Sequence, residues 1–235
     1  MGLRGMGILN FYSWKLSGEE AFLERFVRPG DFIFFDVGAN VGSYTKKVFK
    51  HNKKAKAYLF EPNSDIYKEL HLSLGGSAEI FQLALGSEEG EADFYDKEVS
   101  DGGTHGTLYQ SVIEDIHKEK VSTQKVKIST IDNICVEQNI TKIDLLKIDV
   151  EGHELEVLRG ASQTLRAGLV DVIHIEFNEM NVHSRTFLRD FISLLPNHHA
   201  YRLLQDGLIP LDRYSPITFE LFAYQNIIFT KEKYE

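Results

Sequence analysis

Short apolar runs recur along the chain, each closed by a turn residue and followed by a stretch with helical spacing. The first run is Phe32, Ile33, Phe34 and Phe35, ending in Asp36. Others run from Ala57 to Glu61, Ala78 to Ala84, Ile143 to Asp149, Val170 to Phe177, Tyr201 to Gln205 and Asn226 to Lys231. Between them, helical patterns span Ser43 to Asn52, Asn63 or Ser64 to Leu74, Ile131 to Gln138, Glu154 to Leu165 and Arg185 to Leu195. Near-continuous apolar strands are buried on both faces, so this alternation predicts an α/β fold. The expected form is a doubly wound, mostly parallel sheet, with helices on both faces and the last strand as an antiparallel edge.

Alternation breaks once. Ala92 to Tyr95 and Gln124 to Ser129 read as strands, separated by a polar stretch from Val99 to Tyr109 and a short helix near Ser111 to Glu119. Long excursions of this kind are often functional. Upstream, Ser17 is placed to cap a helix with Glu20 in the S-x-x-E pattern, ended by Pro29-Gly30. The chain therefore divides into a loose N-terminal arm and helix, 1–30, and a single domain, 31–235, carrying an insertion at about 90–129.

The strand-to-helix corner Asp36-Val37-Gly38-Ala39-Asn40-Val41-Gly42 is the densest local signal. Glycine lets backbone approach a ligand closely, and the crevice beyond such a strand is where α/β sheets bind ligands. Dinucleotide folds want G-x-G-x-x-G. Here the glycines are four apart and an acid precedes them, which suits a ligand with an ammonium or a sulfonium. Glu61 ends the next strand, where a carboxylate can accept from both ribose hydroxyls of a nucleoside. Leu83-Ala84-Leu85-Gly86-Ser87 offers a flat wall for a base.

A second dense segment runs from Leu145 to Glu154. Lys147 lies within an apolar strand and needs a partner there. Asp149 and Glu151 are two apart and project to one side if the chain stays extended. With His153 and the strand end Glu176-Phe177-Asn178, they crowd one crevice mouth. The set can carry general-base chemistry on an acceptor hydroxyl, hold a hard cation through Asp149, Glu151 and Glu176, or form an ion-pair network around Lys147. His105 and Tyr109, on the insertion, can reach the acceptor.

Composition narrows the partners. The 235 residues carry a net charge of −9, against a general nucleic-acid partner. The lysines from Lys46 to Lys56 read as a solvated helix face. Cys135 is the single cysteine, so no intrachain disulfide forms and a cytoplasmic setting is expected. No stretch is long and apolar enough to span a bilayer, and the first sixteen residues lack the apolar segment of a signal peptide.

These segments, in this order, resemble the FkbM family of methyltransferases. The resemblance rests on Asp36-Val37-Gly38-Ala39-Asn40-Val41-Gly42, Phe60-Glu61-Pro62, Ala84-Leu85-Gly86, Ser129-Thr130-Ile131-Asp132 and, most specifically, Leu146 to Ala161. It implies a Rossmann-like fold, S-adenosylmethionine as methyl donor, and O-methylation of a hydroxyl on a sugar or natural product. Expected cofactor contacts are Asp36, Gly38, Asn40, Gly42, Glu61, Ala84 and Asp149. The catalytic candidates are Asp149, Glu151 and His153, with no metal. Acceptor contacts fall on His105, Tyr109, Glu176 and Asn178. Two rivals remain: a nucleoside-binding module without catalysis and an NAD-linked oxidoreductase.

Overall fold

The computed structural model describes residues 2–97 and 106–234. His105 lies outside them. In chain order, the strands are β1 (Ile33–Val37), β2 (Lys56–Phe60), β3 (Glu79–Phe81), β4 (Ala84–Leu85), β5 (Gly90–Lys97), β6 (Val121–Ser129), β7 (Ile143–Ile148), β8 (Val170–Phe177), β9 (His199–Leu203), β10 (Leu208–Pro210) and β11 (Gln225–Thr230). The helices are α1 (Trp14–Ser17), α2 (Glu19–Phe26), α3 (Ser43–His51), α4 (Ser64–Leu74), α5 (Ile131–Glu137), α6 (Glu154–Arg159), α7 (Ser162–Arg166), α8 (Met180–His183), α9 (Leu188–Leu194) and α10 (Pro216–Phe219). A wide π-type turn covers Val112–His117.

The main sheet has the order β10-β9-β11-β8-β7-β1-β2-β3. Strands β8, β7, β1, β2 and β3 are parallel. Period-two alternation sends neighbours to opposite layers. Phe35, Tyr58, Phe60 and Leu146 pack with Ile134, Leu158 and Phe191. Phe34, Leu59 and Leu145 pack with Leu23, Val48 and Leu70 on the other face. Helices therefore cover both faces, as in a doubly wound sheet.

Several elements differ from the sequence reading. The last strand is not at the edge: β11 runs antiparallel between β8 and β9, and all six of its residues are buried. The antiparallel edge is the short β10. The run from Ala78 to Ala84 splits, because β3 joins the main sheet while β4 joins β6 and β5 in a second, three-stranded sheet built by the insertion. The helix from Glu154 breaks at Gly160, where a Cβ would lie 1.9 Å from the Gly86 carbonyl oxygen. Asp132 then caps the new helix through Gln163 and Thr164 N–H.

The N-terminal arm is not loose. Ile8 is fully buried, and Leu9 N–H donates to the Tyr224 carbonyl at 2.8 Å. Ser17 does not cap α2. It ends α1, its hydroxyl donates to Glu19 at 2.8 Å, and Gly18 begins the next helix. No helix among the described residues is long and apolar enough to cross a membrane.

Candidate active site

A cavity of about 500 Å³ opens over the ends of β1, β2, β7 and β8. This lies within the range of roughly 300–1,000 Å³ typical of small-molecule sites. Its floor is set by the turn after β1. Gly38 has φ +79°, and a Cβ there would lie 1.9 Å from the Asp149 carbonyl oxygen. The close approach of these two strand ends therefore demands glycine. Asn40 also has positive φ, and its N–H donates to Glu61 Oε2 at 3.0 Å. Asn63 N–H donates to Glu61 Oε1 at 2.9 Å. Two backbone donors thus aim the carboxylate while leaving each oxygen a second lone pair. Burial pushes its pKa up to about 7.

The other expected cofactor residues separate. Gly38, Asn40, Glu61, Ala84 and Asp149 line the cavity. Asp36 lies beneath it, accepting from the Thr45 hydroxyl at 2.6 Å, with its pKa raised by burial to about 6. Gly42 begins α3 and faces Leu70 and Leu74 rather than the cavity.

At the end of β7, Lys147 is 3% exposed and pairs with Asp149 at 3.0 Å. Burial works against its charge, but Asp149, Glu19 and Glu176 outweigh that and hold its pKa above the ordinary lysine value. Glu19 belongs to α2, so the N-terminal region reaches the floor of the site. Glu176 is pushed well above the ordinary carboxylate range by desolvation and by Asp149 and Glu151. It accepts from Asn178 Nδ2 at 2.7 Å.

Glu151 and His153 both line the cavity, joined by a tight turn at Gly152. Glu154, which sequence reasoning took only as a helix start, fastens that turn. One oxygen accepts from Val150 and Gly152 N–H at 3.2 and 3.0 Å, the other from Asn181 Nδ2 at 3.1 Å. Burial raises its pKa to about 7. His153 Nδ1 lies 3.1 Å from Tyr109 Oη, and burial lowers its pKa to about 4, so the ring is neutral near pH 7. Tyr109 therefore stands behind His153 rather than on the cavity wall. Sequence reasoning also missed Leu9, Phe11 and Tyr224, which complete that wall. Leu9 and Phe11 belong to an arm read as loose, and no local signal marked Tyr224, whose place follows from the register of β11 against β8. Among the described residues, no group of three His, Cys, Asp or Glu side chains is arranged to hold a metal ion.

A mostly parallel sheet with two reversed strands, β11 inserted between β8 and β9 and β10 at the edge, and a cavity over the strand termini, defines a Rossmann-like methyltransferase architecture. The methyltransferase FkbM domain matches residues 36–203, and the chain belongs to that family. Three relatives carry specific names. The hexuronic acid methyltransferase AglP of Haloferax volcanii is 29% identical over 171 residues, covering 70% of this chain and 62% of that protein. The 2-O-methyltransferase NoeI of Sinorhizobium fredii is 24% identical, covering 71% and 72%. The AMB antimetabolite synthetase AmbE of Pseudomonas aeruginosa is 26% identical over 80% of this chain, which spans only 10% of that protein. The family is one of methyltransferases, and this chain spans 62% or less of the lengths of AglP and AmbE.

Proposed function

We propose that this protein is an S-adenosylmethionine-dependent O-methyltransferase acting on a hydroxyl of a saccharide or natural-product acceptor. The observation that carries the reading is one cavity holding both an aimed carboxylate, Glu61, and a neutral imidazole, His153. The cavity is large enough for the cofactor, and its donor set fits: the free lone pairs of Glu61 face ribose hydroxyls, and Leu83, Ala84 and Leu85 offer an apolar wall for adenine. Bound there, S-adenosylmethionine supplies an activated methyl group.

The chain's own residues do the rest. Asp149, held by Lys147, presents a fixed negative charge toward the sulfonium. In the tautomer protonated at Nδ1, His153 donates to Tyr109 and its Nε2 lone pair takes the proton from the acceptor hydroxyl. A positioned base contributes about 10²–10⁴-fold. Glu176 and Asn178 bind the acceptor's other hydroxyls. The acidic cavity and the net charge of −9 support a small molecule or glycan rather than a nucleic acid. The single buried cysteine fits a cytoplasmic setting.

Isothermal titration with S-adenosylhomocysteine, beside NAD as control, tests the cofactor class. Micromolar binding of the former alone is the expected result. His153→Ala should keep that binding and lose about 10²–10⁴-fold in turnover. Unchanged turnover in His153→Ala removes the base assignment, and a loss confined to Glu151→Ala moves it to Glu151.

A further inference from the structure

The cavity is ordered by the strands beneath it. Glu61 follows β2, Gly38 follows β1, Asp149 follows β7 and Glu176 lies in β8. Tyr224 precedes β11, whose antiparallel register sets Gln225 opposite Phe177 and so brings Tyr224 to the same rim. The nucleoside end is therefore the Glu61 end, and Tyr224 marks the far end. The arm closes that far end with Leu9 and Phe11. Phe11 stacks on Tyr12 at 4.5 Å between centroids and meets Tyr224 edge-on at 5.8 Å, yet stays 52% exposed. Ring surface is left over for a ligand, on elements outside the family-matched 36–203.

The charge of the cavity points the same way. The cavity wall carries six acids, Glu61, Asp96, Asp149, Glu151, Glu176 and Glu179, of which burial keeps Glu176 protonated and Glu61 partly so near pH 7. Among the described residues no Lys or Arg lines it. Residues 98–105 contain neither in their sequence. Lys147, beneath the cavity beside Asp149, is buried and committed to that carboxylate. His153 is uncharged at neutral pH. An anionic acceptor would enter a site whose described side chains offer it no counter-charge beyond that of the cofactor itself.

We propose that the acceptor is a neutral or amine-bearing saccharide, seated with its C–H face on Phe11, and that anionic sugars are rejected. The proposal rests on the methyltransferase reading above and narrows its acceptor. Ring C–H groups carry partial positive charge and suit the negative face of an aromatic ring. The carboxyls then take the sugar's hydroxyl or ammonium donors. Discrimination comes from unpaired like charge as much as from attraction.

The experiment titrates the full chain, loaded with S-adenosylhomocysteine, with methyl glycosides of a hexose, a 2-amino hexose and a hexuronic acid, and a simple phenol for comparison. The neutral and amino sugars should bind about tenfold or more tighter than the uronate. Phe11→Ala should weaken sugar binding at least about fivefold with homocysteine-product affinity unchanged, and Phe11→Trp should restore it. Glu179→Lys, on the exposed rim, should improve uronate binding, a gain that misfolding cannot produce. A wild-type preference for the uronate or the phenol overturns the proposal and leaves the methyltransferase reading standing. So does parallel loss of cofactor-product binding in Phe11→Ala. Failure of the wild type to bind S-adenosylhomocysteine removes the underlying reading and the proposal with it.

Discussion

Gly38 and Gly30 share positive φ, at +79° and +102°, but only Gly38 faces an obstacle, the Asp149 carbonyl. Gly30→Ala should cost only the left-handed conformation, about 1–2 kcal/mol. Gly38→Ala adds a backbone clash, so it should cost more and also weaken cofactor-product binding. Denaturant titration of both variants, with calorimetry on the folded protein, checks this; equal losses would mean the strand ends yield freely. Glu61 gives a pH prediction. Ribose hydroxyls need the ionised carboxylate, and burial holds its pKa at about 7. Cofactor-product affinity should therefore be full above pH 8 and fall as pH drops through 7, with Glu61→Gln weaker and flat across that range. A wild-type profile with no inflection near 7 would separate Glu61 from the ribose. Glycines, acids and the histidine were legible from the sequence because their chemistry is local. The burial of Asp36 under Thr45 was not, since which side of a strand end faces a helix depends on how α3 docks.

The turn joining β7 to α6 shows how one side chain organises an element. Glu154 gathers Val150 N–H, Gly152 N–H and Asn181 around a fully buried carboxyl whose pKa is raised to about 7. A carboxyl raised in the folded state lends stability that is complete below its unfolded value of 4.5 and is lost as pH rises through about 7. Glu154→Gln keeps an acceptor for the turn but cannot ionise. The stability gap between variant and wild type should therefore move in the variant's favour by about 2–3 kcal/mol between pH 4 and 8. Urea melts at the two pH values measure it, and a constant gap would mean the carboxyl is not desolvated. Strand and helix placement followed the apolar pattern closely. The break at Gly160 did not, because the apolar spacing of Leu155, Leu158 and Leu165 continues through it. Glycine is required there by the close approach of a distant backbone, Gly86, that no local pattern contains. The insertion of β11 between β8 and β9 was likewise invisible: a buried six-residue run reads the same in the middle of a sheet as beside it.

At the scale of the whole molecule, the family-matched segment 36–203 omits parts that the fold needs. Strand β11 is hydrogen-bonded to both β8 and β9, and Ile227, Ile228 and Phe229 are fully buried. Without it, β9 and β10 lose their attachment, and β8 presents a long apolar edge that invites association. Upstream, Phe22 and Leu23 of α2 cover one face of the sheet, while Ile8 is fully buried and Gly7 packs on the Leu203 carbonyl. Each fully buried aliphatic or aromatic side chain removed costs about 2–5 kcal/mol. A domain is stable by only about 5–15 kcal/mol in all. Residues 36–203 expressed alone should therefore show no cooperative thermal transition and should aggregate, whereas 2–234 should melt in one step. Ile8→Ala in the full chain isolates the arm: it should lower stability by about 2–4 kcal/mol. It should also loosen Leu9 and Phe11 over the cavity, weakening acceptor binding before cofactor-product binding. A cooperative melt of 36–203 within a few degrees of the full chain would show that the arm and β11 are accessories. The far wall of the cavity would then have to be held in place by the sheet alone.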